Sequence, residues 1–178
     1  MICILGKNDY HFTDTVVTIG KFDALHIGHR ALVERMVPFK SRGLKSVVLR
    51  LDIRSGEKPL RTETERIGLL EALGADIYIR HDFTERDARM SAGDFIKNVI
   101  VGKLGAKAVV VGEDFRFGYE RRGDADMLIR EGARYGFETV VVGKVSFMGD
   151  EVSSSRIRRA LSAGRTEEAS AMMRLQRD

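Results

Sequence analysis

Short β-branched runs alternate with stretches of helical period along almost the whole chain, and that rhythm constrains the fold more than any other feature. Thr15 to Ile19 (TVVTI) reads as a strand. A helix follows from Gly28 to Phe39, with Leu32, Val33, Met36 and Val37 on one face. Pro38 is expected to end or kink it, because the ring removes a backbone donor. Ser46 to Leu51 reads as a second strand, Glu63 to Leu73 as a second helix closed by Gly74, and Asp76 to Ile79 as a short third strand. Ser91 is placed to cap a helix that carries Phe95, Val99 and Ile100 and runs to Leu104, with Gly105 behind it. Ala108 to Val111 is apolar throughout, as expected of a strand covered on both faces.

Asp124 to Arg134 is helical in period, with Met127 and Leu128 facing inward, and Glu138 to Val142 reads as another strand. Lys144 to Val152 is expected to form an edge strand with a turn at Gly149-Asp150. Two short helices, Ser155 to Ala163 and Glu167 to Leu175, close the series. Strands separated by helices are βαβ units, which build a parallel sheet with helices on both faces. The expectation is a doubly wound α/β domain whose ligand sits beyond the carboxyl ends of the strands.

Composition narrows the class. The 178 residues suit one domain covering 1–178, and 43% hydrophobic with 31% charged residues fits a globular chain. Cys3 is the single cysteine, which excludes an internal disulfide and any zinc site built on two or more thiolates. Apolar runs such as Val109 to Val111 and Val140 to Val142 fall far short of the ~20 residues that cross a bilayer. Met1 to Leu5 lacks the basic start and long apolar core of a signal peptide, so a cytoplasmic location and no membrane partner are expected.

Net charge is +4, a mild excess that attracts anions in general. The basic residues are interleaved with acids and aromatics make up 7%, so no nucleic-acid partner is expected. Two basic concentrations stand out: Arg116, Arg121 and Arg122, then Arg156, Arg158, Arg159 and Arg165. Nothing in the pattern signals an oligomeric state.

The first strand runs directly into Gly20-Lys21-Phe22-Asp23-Ala24-Leu25-His26-Ile27-Gly28-His29, at the start of the next helix. Free backbone N–H groups and the positive end of the helix dipole favour an anion there. Gly28 leaves room for a phosphate to approach the backbone. His26 and His29, three residues apart, project to one side of the first turn. Two such imidazoles can donate to phosphate oxygens and to charge that develops in a transition state. A solvated pair of capping histidines is one competing reading. Zinc is another, but no nearby cysteine or third histidine completes a site, and no metal ligands are assigned. The strand-to-helix turn and its glycines favour phosphate.

Ser153-Ser154-Ser155-Arg156-Ile157-Arg158-Arg159 is the second segment. Its serines can cap a helix and donate to an anion. Arginines in the first turns each cost a few tenths of a kcal/mol against the dipole unless a counter-charge is present. A bound phosphate supplies that charge; neighbouring carboxylates are the alternative.

The third segment, Gly112-Glu113-Asp114-Phe115-Arg116-Phe117-Gly118, lies just past the apolar strand. Asp114, Phe115 and Phe117 either orient and stack on a planar ring or plug the core beneath a loop. Neither GxxxxGK[ST] nor GxGxxG occurs, which removes a Walker-type NTPase and the usual dinucleotide fingerprint.

In this order the three segments resemble the adenylyltransferase module of bacterial-type FAD synthetases, a Rossmann-like branch of the HxGH nucleotidyltransferases. That family looks like G-x-F-D-G-x-H-x-G-H, then G-x-D-F-x-F-G, then S-S-T/S-x-I-R. The resemblance spans nearly the whole chain and implies one nucleotidyltransferase domain that transfers AMP from ATP to FMN, giving FAD and pyrophosphate with Mg2+. It implies His26, His29 and Arg156 as catalytic residues. ATP would lie against Gly20, Phe22, Asp23, Gly28, His29, Ser153, Ser154, Ser155 and Arg156, and flavin near Asp114, Phe115 and Phe117. Asp23 could equally serve as a turn cap.

Two departures are visible. Ala24 stands where the family has glycine, and Leu51-Asp52-Ile53-Arg54 stands where many members carry proline-histidine-proline. The second motivates an alternative: the same adenylyl or cytidylyl chemistry on another acceptor, such as phosphopantetheine or a sugar or polyol phosphate. A non-catalytic flavin- or nucleotide-binding module is the remaining alternative. Two-domain members add a riboflavin kinase module, and riboflavin phosphorylation is not expected of these residues.

Overall fold

The computed structural model describes residues 1–6, 8–53 and 56–174. Along the chain run β1 (Ile2–Leu5), β2 (Thr15–Gly20), α1 (Ile27–Lys40), β3 (Lys45–Asp52), α2 (Glu63–Ala72), β4 (Ile77–Asp82) and α3 (Glu85–Arg89). Then come α4 (Ala92–Asp94) with its continuation Phe95–Lys103, β5 (Ala106–Gly112), β6 (Arg116–Phe117), β7 (Gly123–Asp124), α5 (Ala125–Tyr135) and β8 (Glu138–Val142). A hairpin of β9 (Ser146–Phe147) and β10 (Asp150–Glu151) leads into α6 (Ser154–Ser162) and α7 (Thr166–Met172).

Six strands make one sheet in the order β1-β4-β3-β2-β5-β8, every neighbour parallel. Alternation sends successive residues to opposite faces. Val17, Ile19, Val47, Leu49, Ile77, Ile79, Val109 and Val111 share a core with Phe95, Ile96, Val99, Ile100 and Leu128. On the other face Val16, Ala108 and Val110 meet Met36 and Phe39 of α1, while Val48 and Tyr78 meet Val33 and Leu70. Apolar residues on both faces explain why these strands lack a polar period, and the doubly wound expectation holds.

Several local expectations are corrected. Ile2–Leu5 forms an edge strand, with Ile2 opposite Ile77 and Ile4 opposite Ile79. Its exposed, mixed pattern carries no period to announce it. Helix α1 continues past Pro38 to Lys40. A proline in the last turn removes only one helical bond, and the few residues beyond it are held by the packed Phe39.

Ser91 caps a helix as expected, but only Ala92–Asp94 is α-wound, and Phe95–Lys103 takes the wider i→i+5 pitch. The Leu104 amide accordingly donates to the Val99 carbonyl at 2.9 Å. Lys144 to Val152 is not an edge strand. Positive φ at Met148 (53°) and Gly149 (87°) folds it back on itself one residue earlier than expected, giving an antiparallel pair detached from the sheet. Helix α3 was not legible as a helix; Thr84 and Asp87 cap each other reciprocally at its start. Arg54 and Leu175 lie outside the described residues.

Gly105 takes φ +55°, and a Cβ there would lie 2.2 Å from the Phe12 carbonyl oxygen. Gly105→Ala is therefore expected to lose more than about 2 kcal/mol of stability, read as a lower urea midpoint at unchanged m-value.

Candidate functional site

Strand order reverses between β2 and β5: the chain winds outward through β3 and β4, returns beside β2 as β5, and continues to β8. Ligands of open α/β sheets bind at the carboxyl ends of such a switch point. A cleft of about 240 Å³ opens there, with Gly20, Phe22, His26, Gly28 and His29 on one side and Gly112, Asp114 and Phe115 on another. Ser153 and Glu151, from the far end of the chain, complete it.

The loop from Gly20 to His26 reaches this position at a conformational cost. Phe22 (φ 46°) and Leu25 (φ 47°) both sit in the left-handed region although neither is glycine, and both are fully buried. Arg66 of α2, 1% exposed, holds the loop at the first of them. Its Nε donates to the Phe22 carbonyl at 2.9 Å and its Nη2 to the Asp23 carbonyl at 3.3 Å, while Nη1 pairs with Glu63 at 2.7 Å. Arg61 Nε donates to the Ala24 carbonyl at 2.7 Å. The Asp23 carboxylate accepts from Arg158 at 2.5 Å and from the Leu60 amide at 3.3 Å, so it braces the loop. Ala24, in place of the family glycine, packs its methyl against α6 and α7 beside Ile157, Ala160 and Met172.

Helix α1 opens the cleft with its first N–H groups and no acidic residue in its first turn, which suits an anion. The His26 amide donates to His29 Nδ1 at 3.3 Å. An imidazole that accepts at Nδ1 carries its hydrogen on Nε2, free to donate into the cleft. The two rings stack at 3.8 Å, with Phe22 4.8 Å from His29 on its other contact. His26 Nδ1 is buried without a hydrogen-bond partner among the described residues. Burial lowers His26 to a pKa of about 4. Burial, then the neighbouring His26 and Arg66, holds His29 well below the ordinary imidazole range. Both rings are neutral at pH 7.

The second segment divides. Ser153 caps α6, accepting from the Arg156 amide at 3.2 Å, and lines the cleft, whereas Ser154, Ser155 and Arg156 are not among its lining residues. Arg156 instead donates to the carbonyls of Phe147 (3.0 Å) and Asp150 (2.7 Å) and pairs with Glu168 at 3.0 Å. Arg158 pairs with Asp23 and with Glu57 at 3.3 Å. For Arg156 and Arg158 the counter-charge that a bound phosphate would supply is thus already provided by carboxylates.

Asp114 and Phe115 line the cleft; Phe117 does not. Phe117 is buried against Phe95 and stacks on Phe115 at 5.5 Å, facing a second cavity of about 150 Å³ with Leu49, Leu51 and Ile53. Arg122 pairs with Glu120 at the surface. No cluster of three or more His, Cys, Asp or Glu able to hold a metal occurs among the described residues.

Arg66 escaped the sequence reading, and Arg158 enters it only among the arginines of its helix, not as the partner of Asp23. The i, i+4 spacing of Arg66 with buried Leu70 placed it on the inner face of α2, and Arg158 is the terminal arginine of S-S-x-x-I-R.

Comparison with known proteins places these features in context. The family model described as FAD synthetase matches residues 9–156. A bifunctional riboflavin kinase/FMN adenylyltransferase of Buchnera aphidicola is 30% identical over 170 residues, covering 90% of this chain and 54% of that protein. The protein of the same description from Escherichia coli K12 is 33% identical over 155 residues, covering 82% and 50%. The chain therefore spans about half the length of these relatives. A crystal structure described as a macrolide-efflux protein from Streptococcus pneumoniae superposes with a TM-score of 0.84 at 27% identity, covering 97% of this chain and 60% of that one. No helix among the described residues is long and apolar enough to cross a membrane.

Arg66→Met would leave the Phe22 and Asp23 carbonyls without their buried donor; a loss of roughly 3–5 kcal/mol is expected by chemical denaturation. The histidines give a pH signature. Unfolded imidazole takes up its proton near 6.5, whereas folded His26 resists until about 4, so the unfolded chain binds more protons between these values. Stability is full above 6.5 and falls with acidification. Melting temperature should drop between pH 6.5 and about 5, where most carboxylates remain ionised, and a His26→Asn variant should drop less.

Proposed function

The chain belongs to the FAD synthetase family, and from that premise we propose that it transfers AMP from ATP to FMN, releasing FAD and pyrophosphate. The observation that carries the reading is convergence: His29, the start of α1 and Ser153, from opposite ends of the chain, line one cleft at the switch point of the sheet. That arrangement supports a polyphosphate held by backbone amides, the His29 Nε2 hydrogen and the Ser153 hydroxyl. Gly20 and Phe22 shape the wall beside it.

An oxygen of the FMN phosphate attacks the α-phosphorus of ATP, one P–O bond forms, and the bond from that phosphorus to the bridging oxygen breaks as pyrophosphate departs. The nucleophile is already anionic at neutral pH, so the chain need supply no strong base. Its work is to align two phosphates that repel each other and to donate hydrogen bonds to the charge that gathers on the leaving group. His26 and His29, both neutral, do this without protonation. Arg156 acts as a positioning residue, tying the β9–β10 hairpin to α6 and so fixing Ser153.

Mg2+ fits this site as an ion that arrives with the nucleotide, since it is commonly held by one or two carboxylates plus substrate phosphates. Glu113 and Asp114 are the carboxylates that would hold it; when bound it neutralises phosphate charge. The flavin ring lies beyond Phe115, in the cavity faced by Phe117, with Leu51 and Ile53 of the departing segment in its wall. FMN is favoured over other acceptors because those walls are apolar and aromatic. The chain works as one cytoplasmic nucleotidyltransferase domain on small molecules, without nucleic-acid or membrane partners.

Incubation with Mg-ATP and FMN, followed by chromatography, should yield FAD; pyrophosphate released only with some other acceptor overturns the reading. His29→Ala should lower kcat about tenfold or more with the fold retained by circular dichroism. Arg156→Ala should mainly raise the KM for ATP.

A further inference from the structure

The cavity beyond the Phe115–Phe117 stack is walled mainly by apolar side chains, yet four titratable groups line it, His81, Asp87, Arg116 and Arg121. His81 is 5% exposed and Tyr10, behind it, 4%. The Tyr10 hydroxyl lies 3.0 Å from His81 Nδ1, and His81 Nε2 lies 3.3 Å from Asp87 Oδ2. Burial, with the charge of Asp87 second, pushes the Tyr10 phenol far above its ordinary range, so it keeps its hydrogen and donates to Nδ1. The imidazole then carries its own hydrogen on Nε2, facing Asp87. Asp87 Oδ2 also accepts from the Thr84 amide at 2.8 Å and the Thr84 hydroxyl at 2.7 Å. Burial raises the Asp87 carboxyl, but these Thr84 bonds and His81 outweigh it, and the group is ionised at neutral pH.

All these donors converge on Oδ2, and Oδ1 receives none among the described residues. Capping a helix as short as Glu85–Arg89 requires only the Thr84 exchange. It does not require a buried phenol and imidazole behind the carboxylate, in a wall where polar groups are costly to bury.

We propose that Asp87, held by His81 and Tyr10, reads an imide-type N–H on the edge of the acceptor's planar ring and so determines acceptor specificity. The inference rests on the reading of this chain as an FMN adenylyltransferase. The isoalloxazine of FMN carries one such hydrogen, N3–H, between two carbonyls, and its opposite edge is hydrocarbon. A carboxylate oxygen accepts N3–H, and the flanking carbonyls find donors in Arg116 and Arg121, which also line the cavity. A ring without that hydrogen leaves the carboxylate facing carbon in an apolar slot, a large penalty for a site built to hydrogen-bond.

The test compares FMN with FMN methylated at N3 on the full chain, reading binding by quenching of flavin fluorescence and turnover by FAD formation. The unmodified chain is expected to bind the methylated flavin about tenfold or more weakly. Asp87→Asn keeps an oxygen for the Thr84 cap but turns an amide toward the ring. It should weaken FMN about tenfold, reduce the discrimination to about twofold, and leave the KM for ATP unchanged. Should that variant fail to fold, the two flavins on the unmodified chain decide the matter. Equal affinity for both flavins, or unmoved FMN binding in folded Asp87→Asn, overturns the role of Asp87 while FAD formation leaves the transferase reading standing. Absence of both FMN binding and FAD formation overturns both.

Discussion

A buried guanidinium sets the terms for everything at the carboxyl edge of this sheet. Phe22 and Leu25 occupy backbone conformations that non-glycine residues avoid, and a free loop would relax out of them. Arg66 prevents this by occupying the Phe22 and Asp23 carbonyls from beneath, while Arg158 takes the Asp23 carboxylate from above. Because α2 follows β3 and α6 lies at the other end of the chain, the loop is fixed by elements remote in sequence. The direction of His26 and His29 follows from that restraint. It explains why the segment tolerates Ala24: the added methyl meets a small apolar cluster instead of a phosphate.

Much of this is legible in the amino-acid sequence. Apolar strands such as Ala108 to Val111 announce a sheet covered on both faces, and the His26–His29 spacing after a strand announces an anion site at a helix start. What escaped reading did so for physical reasons. Ile2–Leu5 gains its strand character from pairing with β4, not from its own pattern. The wider winding of Phe95–Lys103 leaves the apolar positions almost where an α-helix would put them. The resemblance sets Arg156 and Asp23 beside ATP, with carboxylate neighbours and a turn-bracing Asp23 as the alternatives; which protein groups pair with Arg156, Arg158 and Asp23 was not legible, because charge complementarity across long separations has no signature in local sequence.

The electrostatics of the cleft follow from the same arrangement. Arg156 and Arg158, the arginines tied to the loops of the site, are already paired with carboxylates, and the imidazoles are uncharged through burial. Attraction for an anion therefore comes from oriented dipoles: amide hydrogens at the start of α1, the His29 N–H and the Ser153 hydroxyl. Dipoles of this kind hold charge without the deep trap that unpaired arginines would create, which suits the release of an anionic product that the proposed reaction calls for. Beyond the Phe115–Phe117 stack the character changes to mainly apolar walls around a polar relay and two arginines, so the neighbouring chambers differ in chemistry.

The detached β9–β10 pair has a mechanical consequence. One jaw of the cleft is continuous with six hydrogen-bonded strands, whereas the other hangs on a two-stranded ribbon fastened to a helical hairpin by the Arg156 fork. These supports differ in stiffness, and warming loosens the weaker one first. Heat should then open the cleft, and with it the proposed grip on nucleotide, at temperatures where the sheet is still intact, so that loss of function runs ahead of loss of fold.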